Sequence, residues 1–307
     1  MTVVAPAGSA LAYQNWEYEK PAAGGVVVGV DGSRESIHAL NTAAAIARVR
    51  GWPLHAVTVL NPFPSYQINP GLDETRERVD RLRTSLKDSE LNVIMTALEA
   101  PDDWTHEVVI GRPTRQLTMI AERRCAELIV MGRRKHGVMD RVLGSETTLQ
   151  VMRTCRIPVL GVTEEIQRPK TVVVATDFSD ASKTAVELAH ALLCGAGTLF
   201  VVYVESGVTT AGESITDGER RYPGDVVVWF RRLMNELPVG SGTLTEPVVL
   251  SGNPVSGIIE FAEGAGADLI AAGSHGHNKL ERFLLGSVST ALVREAQCGV
   301  LIAPPEY

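Results

Sequence analysis

Short uninterrupted apolar runs recur along this chain, each followed by a stretch whose apolar positions return every three or four residues. Val26-Val27-Val28, Val172-Val173-Val174 and Leu199-Phe200-Val201-Val202 are continuous rather than alternating, as in strands covered on both faces. Ala-rich segments at helical spacing lie between such runs, residues 36–50 and 182–193 being the clearest. Strand alternating with helix predicts an α/β fold with parallel sheets and right-handed crossovers. Five strands are expected near residues 25–30, 54–60, 106–110, 127–132 and 157–162. Five more are expected near 171–176, 198–204, 247–250, 268–273 and 299–303.

The two sets echo each other. Val26-Val27-Val28-Gly29-Val30-Asp31 matches Val172-Val173-Val174-Ala175-Thr176-Asp177, and Gly111-Arg112-Pro113 matches Gly252-Asn253-Pro254. Ala126-Glu127-Leu128-Ile129 matches Ala267-Asp268-Leu269-Ile270, and Leu143-Gly144-Ser145 matches Leu285-Gly286-Ser287. Four matches in one order at a nearly constant offset indicate a duplication. It divides the chain into an N-terminal tail (1–22), a first domain (23–163), a short linker (164–170) and a second domain (171–307). Tyr13, Trp16 and Tyr18 suggest that the tail packs on a domain surface, since a disordered tail rarely carries three aromatics; the competing reading is a floppy extension.

Composition narrows the reading. The 307 residues suit two domains. Aromatics make up only 5%, so the cores rest on Val, Leu, Ile and Ala. A net charge of -7 disfavours phosphate backbones and anionic lipid, so neither nucleic acid nor membrane is an expected partner. No apolar run reaches the ~18 residues of a membrane span. The apolar start has no Lys or Arg before Lys20, unlike a signal peptide. A cytoplasmic location is therefore expected. Cys125, Cys155, Cys194 and Cys298 lack pairing or metal-type spacing and read as reduced, buried thiols.

Candidate chemistry collects at strand ends, because ligands of open parallel sheets bind outside the carboxyl ends of the strands. The first strand of the second half ends in Thr176-Asp177. The fourth ends in Gly273-Ser274-His275-Gly276, and Gly286-Ser287 then opens the last helix. Glycine backbone admits close approach of a ligand, and a helix N-terminus favours phosphate. Asp177, an acceptor only, suits ribose hydroxyls or an adenine amine. The competing reading makes the glycines turns and Asp177 a helix cap. His275 and His277 have no carboxylate or cysteine beside them, which makes a poor zinc site. No nucleophile for a histidine base stands out.

Gly, two residues, Gly, nine residues, Gly-Ser, at 273, 276, 286 and 287, resembles the nucleotide-binding signature of the universal stress protein family. Asp177 and Ala267-Asp268-Leu269-Ile270 fit the same family, and the resemblance covers residues 23–163 and 168–306 as a tandem pair. It implies two doubly wound domains, each a five-stranded parallel sheet of order 3-2-1-4-5, and a bound adenosine nucleotide. ATP is the expected cofactor, with ADP and cyclic AMP as alternatives, and Mg2+ would ride on the phosphates if ATP is hydrolysed. By position, Asp177 would contact ribose or base and the Val204 backbone the adenine edge. Gly273 and Gly276 would lie along ribose and phosphates, with Gly286, Ser287 and Ser289 as phosphate donors. Relatives that it resembles pair their fifth strands across a two-fold axis; duplication lets the two halves of one chain do the same, and a further homodimer of tandem units through helical faces is expected.

The first half departs from this pattern. Four residues separate Gly132 from Gly137, six separate Gly137 from Gly144, and Glu146 stands where the second half has Val288. A carboxylate in the first helical turn competes with phosphate for the dipole. Arg133, Arg134 and Lys135 bring compensating cations, or simply form an exposed basic loop. Asp31, Val59, Gly132, Gly137, Gly144 and Ser145 thus constitute a weaker second site. Three functions follow from these features: a nucleotide-dependent regulatory or stress-response protein, an ATP-hydrolysing enzyme of the adenine-binding α/β class, or a scaffold with a vestigial site. The lack of a Walker-type loop or a catalytic constellation disfavours the enzyme, leaving at most slow ATP hydrolysis.

Overall fold

The structure, a computed structural model, describes residues 24–60, 101, 103–134, 145–205, 224–238, 242–276 and 285–305. The aromatic tail, Gly137, Gly144 and His277 lie outside these residues. The first half comprises β1 (Val26–Gly29), α1 (Arg34–Arg50), β2 (Leu54–Leu60), β3 (Thr105–Ile110), α2 (Pro113–Arg123), β4 (Leu128–Gly132), α3 (Ser145–Thr154) and β5 (Val159–Val162). The second comprises β6 (Thr171–Ala175), α4 (Asp180–Leu193), β7 (Gly197–Glu205), α5 (Gly224–Glu236), β8 (Thr243–Ser251), α6 (Pro254–Gly264), β9 (Leu269–Gly273), α7 (Ser287–Glu295) and β10 (Gly299–Ala303).

Local chemistry explains these boundaries. Ser33 and Ser179 cap α1 and α4, accepting hydrogen bonds from the Ser36 and Ser182 amides, which satisfies one of the orphan donors of each first turn. Pro113 and Pro254 open α2 and α6, where a missing N–H costs nothing. All ten expected strands are present. β8 begins at Thr243, four residues before its expected start, and runs through Pro247. It is an outer strand, paired only with β7, and an edge tolerates a residue that cannot donate.

The strands form one ten-stranded sheet in the order β3-β2-β1-β4-β5-β10-β9-β6-β7-β8. Each half has the order 3-2-1-4-5 and is parallel throughout. The halves join where β5 and β10 run antiparallel, with Leu160 opposite Leu301. The expected internal pairing of fifth strands is therefore present. Alternate strand residues feed two cores, each continuous across both halves. Val26, Val28, Val172 and Val174 face α1, α4 and α5. Val27, Val173, Ile270 and Ile302 face α2, α3, α6 and α7.

The antiparallel join has a geometric consequence. The carboxyl strand ends of the two halves, and the crevices above them, open at opposite ends of the common sheet.

Candidate functional site

In the second half, β6 and β9 are adjacent, so the turns leaving them meet. Asp177 Oδ1 accepts from the Ser179 amide at 3.0 Å, holding the carboxylate over the start of α4. Its Oδ2 lies directly against Gly276, where any Cβ would collide with it. The expected convergence of Asp177 and the glycine loop is thus realised in space. Phe178, the next residue, has a left-handed backbone with φ of 63°, where the equivalent Gly32 has 80°. A side chain there costs about 1–2 kcal/mol, offset by ring contacts with Tyr203, Trp229 and Phe230 at 5.1–5.3 Å between centroids. Val204, near the end of β7, sits in the ladder opposite Leu250.

Several expected donors have partners inside the protein. The Gly286 amide donates to the Ser274 carbonyl at 2.7 Å. The buried Ser289 hydroxyl donates to the Gly273 carbonyl at 2.6 Å. A Cβ at Gly273 would stand 2.8 Å from the backbone of Ala181 and Ser182, so glycine is required there for helix packing. What faces the crevice is the start of α7. Gly286 caps it without any side-chain bond, and Ser287 is exposed. Ser274 Oγ and His275 Nδ1 lie 2.8 Å apart.

The first half repeats this scaffold. Thr148 donates to the Gly132 carbonyl at 2.8 Å, as Ser289 does to Gly273. A Cβ on Gly132 would stand 2.6 Å from the Glu35 backbone. Asp31 accepts from the Ser33 amide at 3.0 Å and hydroxyl at 2.5 Å. Burial opposes its charge, but these bonds, Ser36 and the Arg134 cation outweigh it and hold the carboxyl below its ordinary value. Asp31, Val59 and Gly132 line a cavity of about 120 Å3, small beside the ~300–1,000 Å3 of ordinary ligand pockets. Ser145 opens α3.

Arg133 corrects a sequence expectation. It neither faces phosphate nor belongs to an exposed basic loop. Its side chain is 1% exposed and donates to the carbonyls of Val293 (3.0 Å), Ala296 (2.8 Å) and Cys298 (2.5 Å) in the other half. Arg134 alone stays exposed beside Asp31; Lys135 lies outside the described residues.

Sequence reading also missed a cavity of about 520 Å3 between residues 163–168, α6 and the start of β10. Among the described residues its walls carry Glu164, Glu165, Glu263 and Asp268 against one cation, Arg168, which disfavours an anionic ligand. Size alone therefore does not select the site. Among the described residues no cluster of three metal-ligating side chains occurs, and no helix is long and apolar enough to cross a membrane.

Fold and site together define a tandem, doubly wound α/β protein with its candidate ligand crevices at the carboxyl strand ends. The sequence profile of the Universal stress protein family matches residues 24–163 and 169–304, and the chain belongs to that family. Universal stress protein Rv2005c of Mycobacterium tuberculosis is 28% identical over 91% of this chain and 96% of its own length. A universal stress protein of Mycolicibacterium smegmatis is 25% identical over 92% and 97%. Among solved structures, a universal stress protein from Archaeoglobus fulgidus superposes with a TM-score of 0.65 at 20% identity, covering 92% of this chain and 96% of its own. One from Pseudomonas aeruginosa gives 0.60 at 12% identity, covering 92% and 94%. At these identities the two structures speak to the fold alone.

Proposed function

We propose that the second half binds ATP and that the protein acts in the cytoplasm as a nucleotide-dependent regulatory or stress-response protein. The contact of Asp177 with Gly276, beside an α7 start that no side chain caps, carries this reading. Asp177 would accept from ribose or base beside the Val204 backbone, with Gly276 giving the phosphate chain close backbone approach. Ser287 and the first amides of α7 would donate to phosphate, aided by the helix dipole. Gly273 and Gly286 would support this cradle, and Ser289 would reach phosphate only by leaving the Gly273 carbonyl. Mg2+ would be carried on the phosphates, since the described residues offer it no dedicated ligand set.

The reading is tested by calorimetric titration of the intact chain with ATP. One tight site per chain is expected, lost in Gly276→Val. Two sites of equal strength would refute the asymmetry argued from Glu146 and the shortened first loop. Undiminished binding in Gly276→Val would refute the site. Slow hydrolysis at the same crevice is favoured by the Ser274–His275 bond, which holds an imidazole in the glycine loop. Phosphate release no faster than in protein-free buffer would refute hydrolysis, and equal release by wild type and His275→Ala would take His275 out of the step. Tandem units are further proposed to pair as homodimers through their helical faces, a mass that light scattering reads directly.

A further inference from the structure

We infer that Arg133 is a positioning residue for the crevice of the opposite half: it fixes, from the first domain, the helix whose other end faces the candidate phosphate position. This rests on the nucleotide reading for its ligand but on independent contacts for its geometry. Arg133 follows Gly132 at the end of β4, and its amide donates to the Val162 carbonyl at 2.7 Å. Its stem passes Gly161 of β5, where a Cβ would meet Arg133 Cδ at 3.5 Å. The guanidinium then reaches the carboxyl end of α7. Val293 lies in the last turn of that helix and Ala296 just beyond it, where carbonyls lack intrahelical partners.

Three carbonyls surround one cation at the negative pole of the helix dipole, an arrangement that favours the charge. Burial lowers the Arg133 pKa to about 10, so it stays protonated at neutral pH. The amino end of the same nine-residue helix is tied to β9 through Ser289 and Gly273. One short rod thus runs from the candidate phosphate position to a guanidinium supplied by the other half. The second half does not return the contact from the matching position. That residue is Ser274, whose hydroxyl bonds its neighbour His275. The half with the complete glycine motif is therefore the half whose helix is held.

The experiment compares wild type, Arg133→Met and Arg133→Lys as full-length chains, by ATP titration and by amide hydrogen exchange across α7. Arg133→Met should speed exchange at Leu292, Val293 and Ala296 and weaken ATP binding about fivefold or more. Arg133→Lys, which keeps charge but not the fork, should give intermediate values of both. If Arg133→Met does not fold, Arg133→Lys decides on the same two measurements. A lower unfolding temperature with unchanged affinity and unchanged α7 exchange would overturn the positioning role. If wild type binds no ATP, the nucleotide reading falls by itself. Faster exchange confined to α7 would then still uphold the tie, and unchanged exchange would overturn it.

Discussion

Gly273 and Gly276 stand three residues apart in one loop yet have different reasons to be glycine. A Cβ at 273 meets the backbone of α4, which cannot move aside without moving the helix. A Cβ at 276 meets a carboxylate, the end of a side chain that can rotate away. Gly273→Ala should therefore destabilise the ligand-free protein by about 1–3 kcal/mol, the range for overpacking a close contact. Gly276→Val should unfold near the wild-type temperature and lose ATP affinity instead. Thermal unfolding with and without ATP separates the two. If Gly276→Val lost as much stability as Gly273→Ala, position 276 would be structural as well. The glycine motif was legible in the sequence, whereas its division into one packing residue and one crevice residue was not.

At the scale of the element, β3 shows how an outer strand is fastened. His55 of β2 is buried, with Nδ1 2.7 Å from Thr105 Oγ1 and Nε2 2.8 Å from Glu107 Oε1. Arg123 approaches the same carboxylate at 3.4 Å. Burial pushes the His55 pKa down, only partly opposed by Glu107, so the ring is neutral at pH 7. The hydrogen bond from His55, working against burial, holds Glu107 below its ordinary value. Both folded-state pKa values are depressed, so both groups favour folding above their unfolded pKa values and lose that contribution on acidification. The His55 part should begin to fade as pH falls below its unfolded value of about 6.5, and the Glu107 part at lower pH. Unfolding temperatures of wild type and His55→Gln, followed from pH 7.5 to 5.5, should converge. Parallel curves would show that His55 does not supply the dependence.

The whole molecule turns on β10. As the last strand of a lone domain it would be an edge with unpaired backbone groups. Here it lies between β9 and β5, and all five of its residues are buried. An amide of an interior strand has a partner on one side or the other, so Leu301→Pro must break a ladder bond whichever way that amide points. A loss of at least about 1–3 kcal/mol is expected, the cost of leaving a buried ladder acceptor unpaired, with faster exchange in both β5 and β10. A variant that exchanged like wild type would mean that the halves do not share the sheet in solution. The duplication makes this closure intramolecular, covering two edges without a second chain and leaving β3 and β8 outermost.

The sequence by itself determined the ten strands, the duplication and the placing of Asp177 and the second glycine loop at carboxyl strand ends. Each of these is written in residues near one another or in a pattern repeated along the chain. Continuous Val runs fix buried strands, and serines fix helix starts, through short-range geometry. Only the tertiary structure decided where Arg133 goes, which donors of the glycine loop are already bonded, and why Gly132 and Gly273 must lack side chains. The Arg133 partners lie 160 or more residues away, beyond any local periodicity. A cation among loop residues reads as exposed until a neighbouring domain brings unpaired helix carbonyls within reach. Burial then costs that charge its hydration, and three carbonyls compensate. Such compensation exists only once the chain has closed on itself.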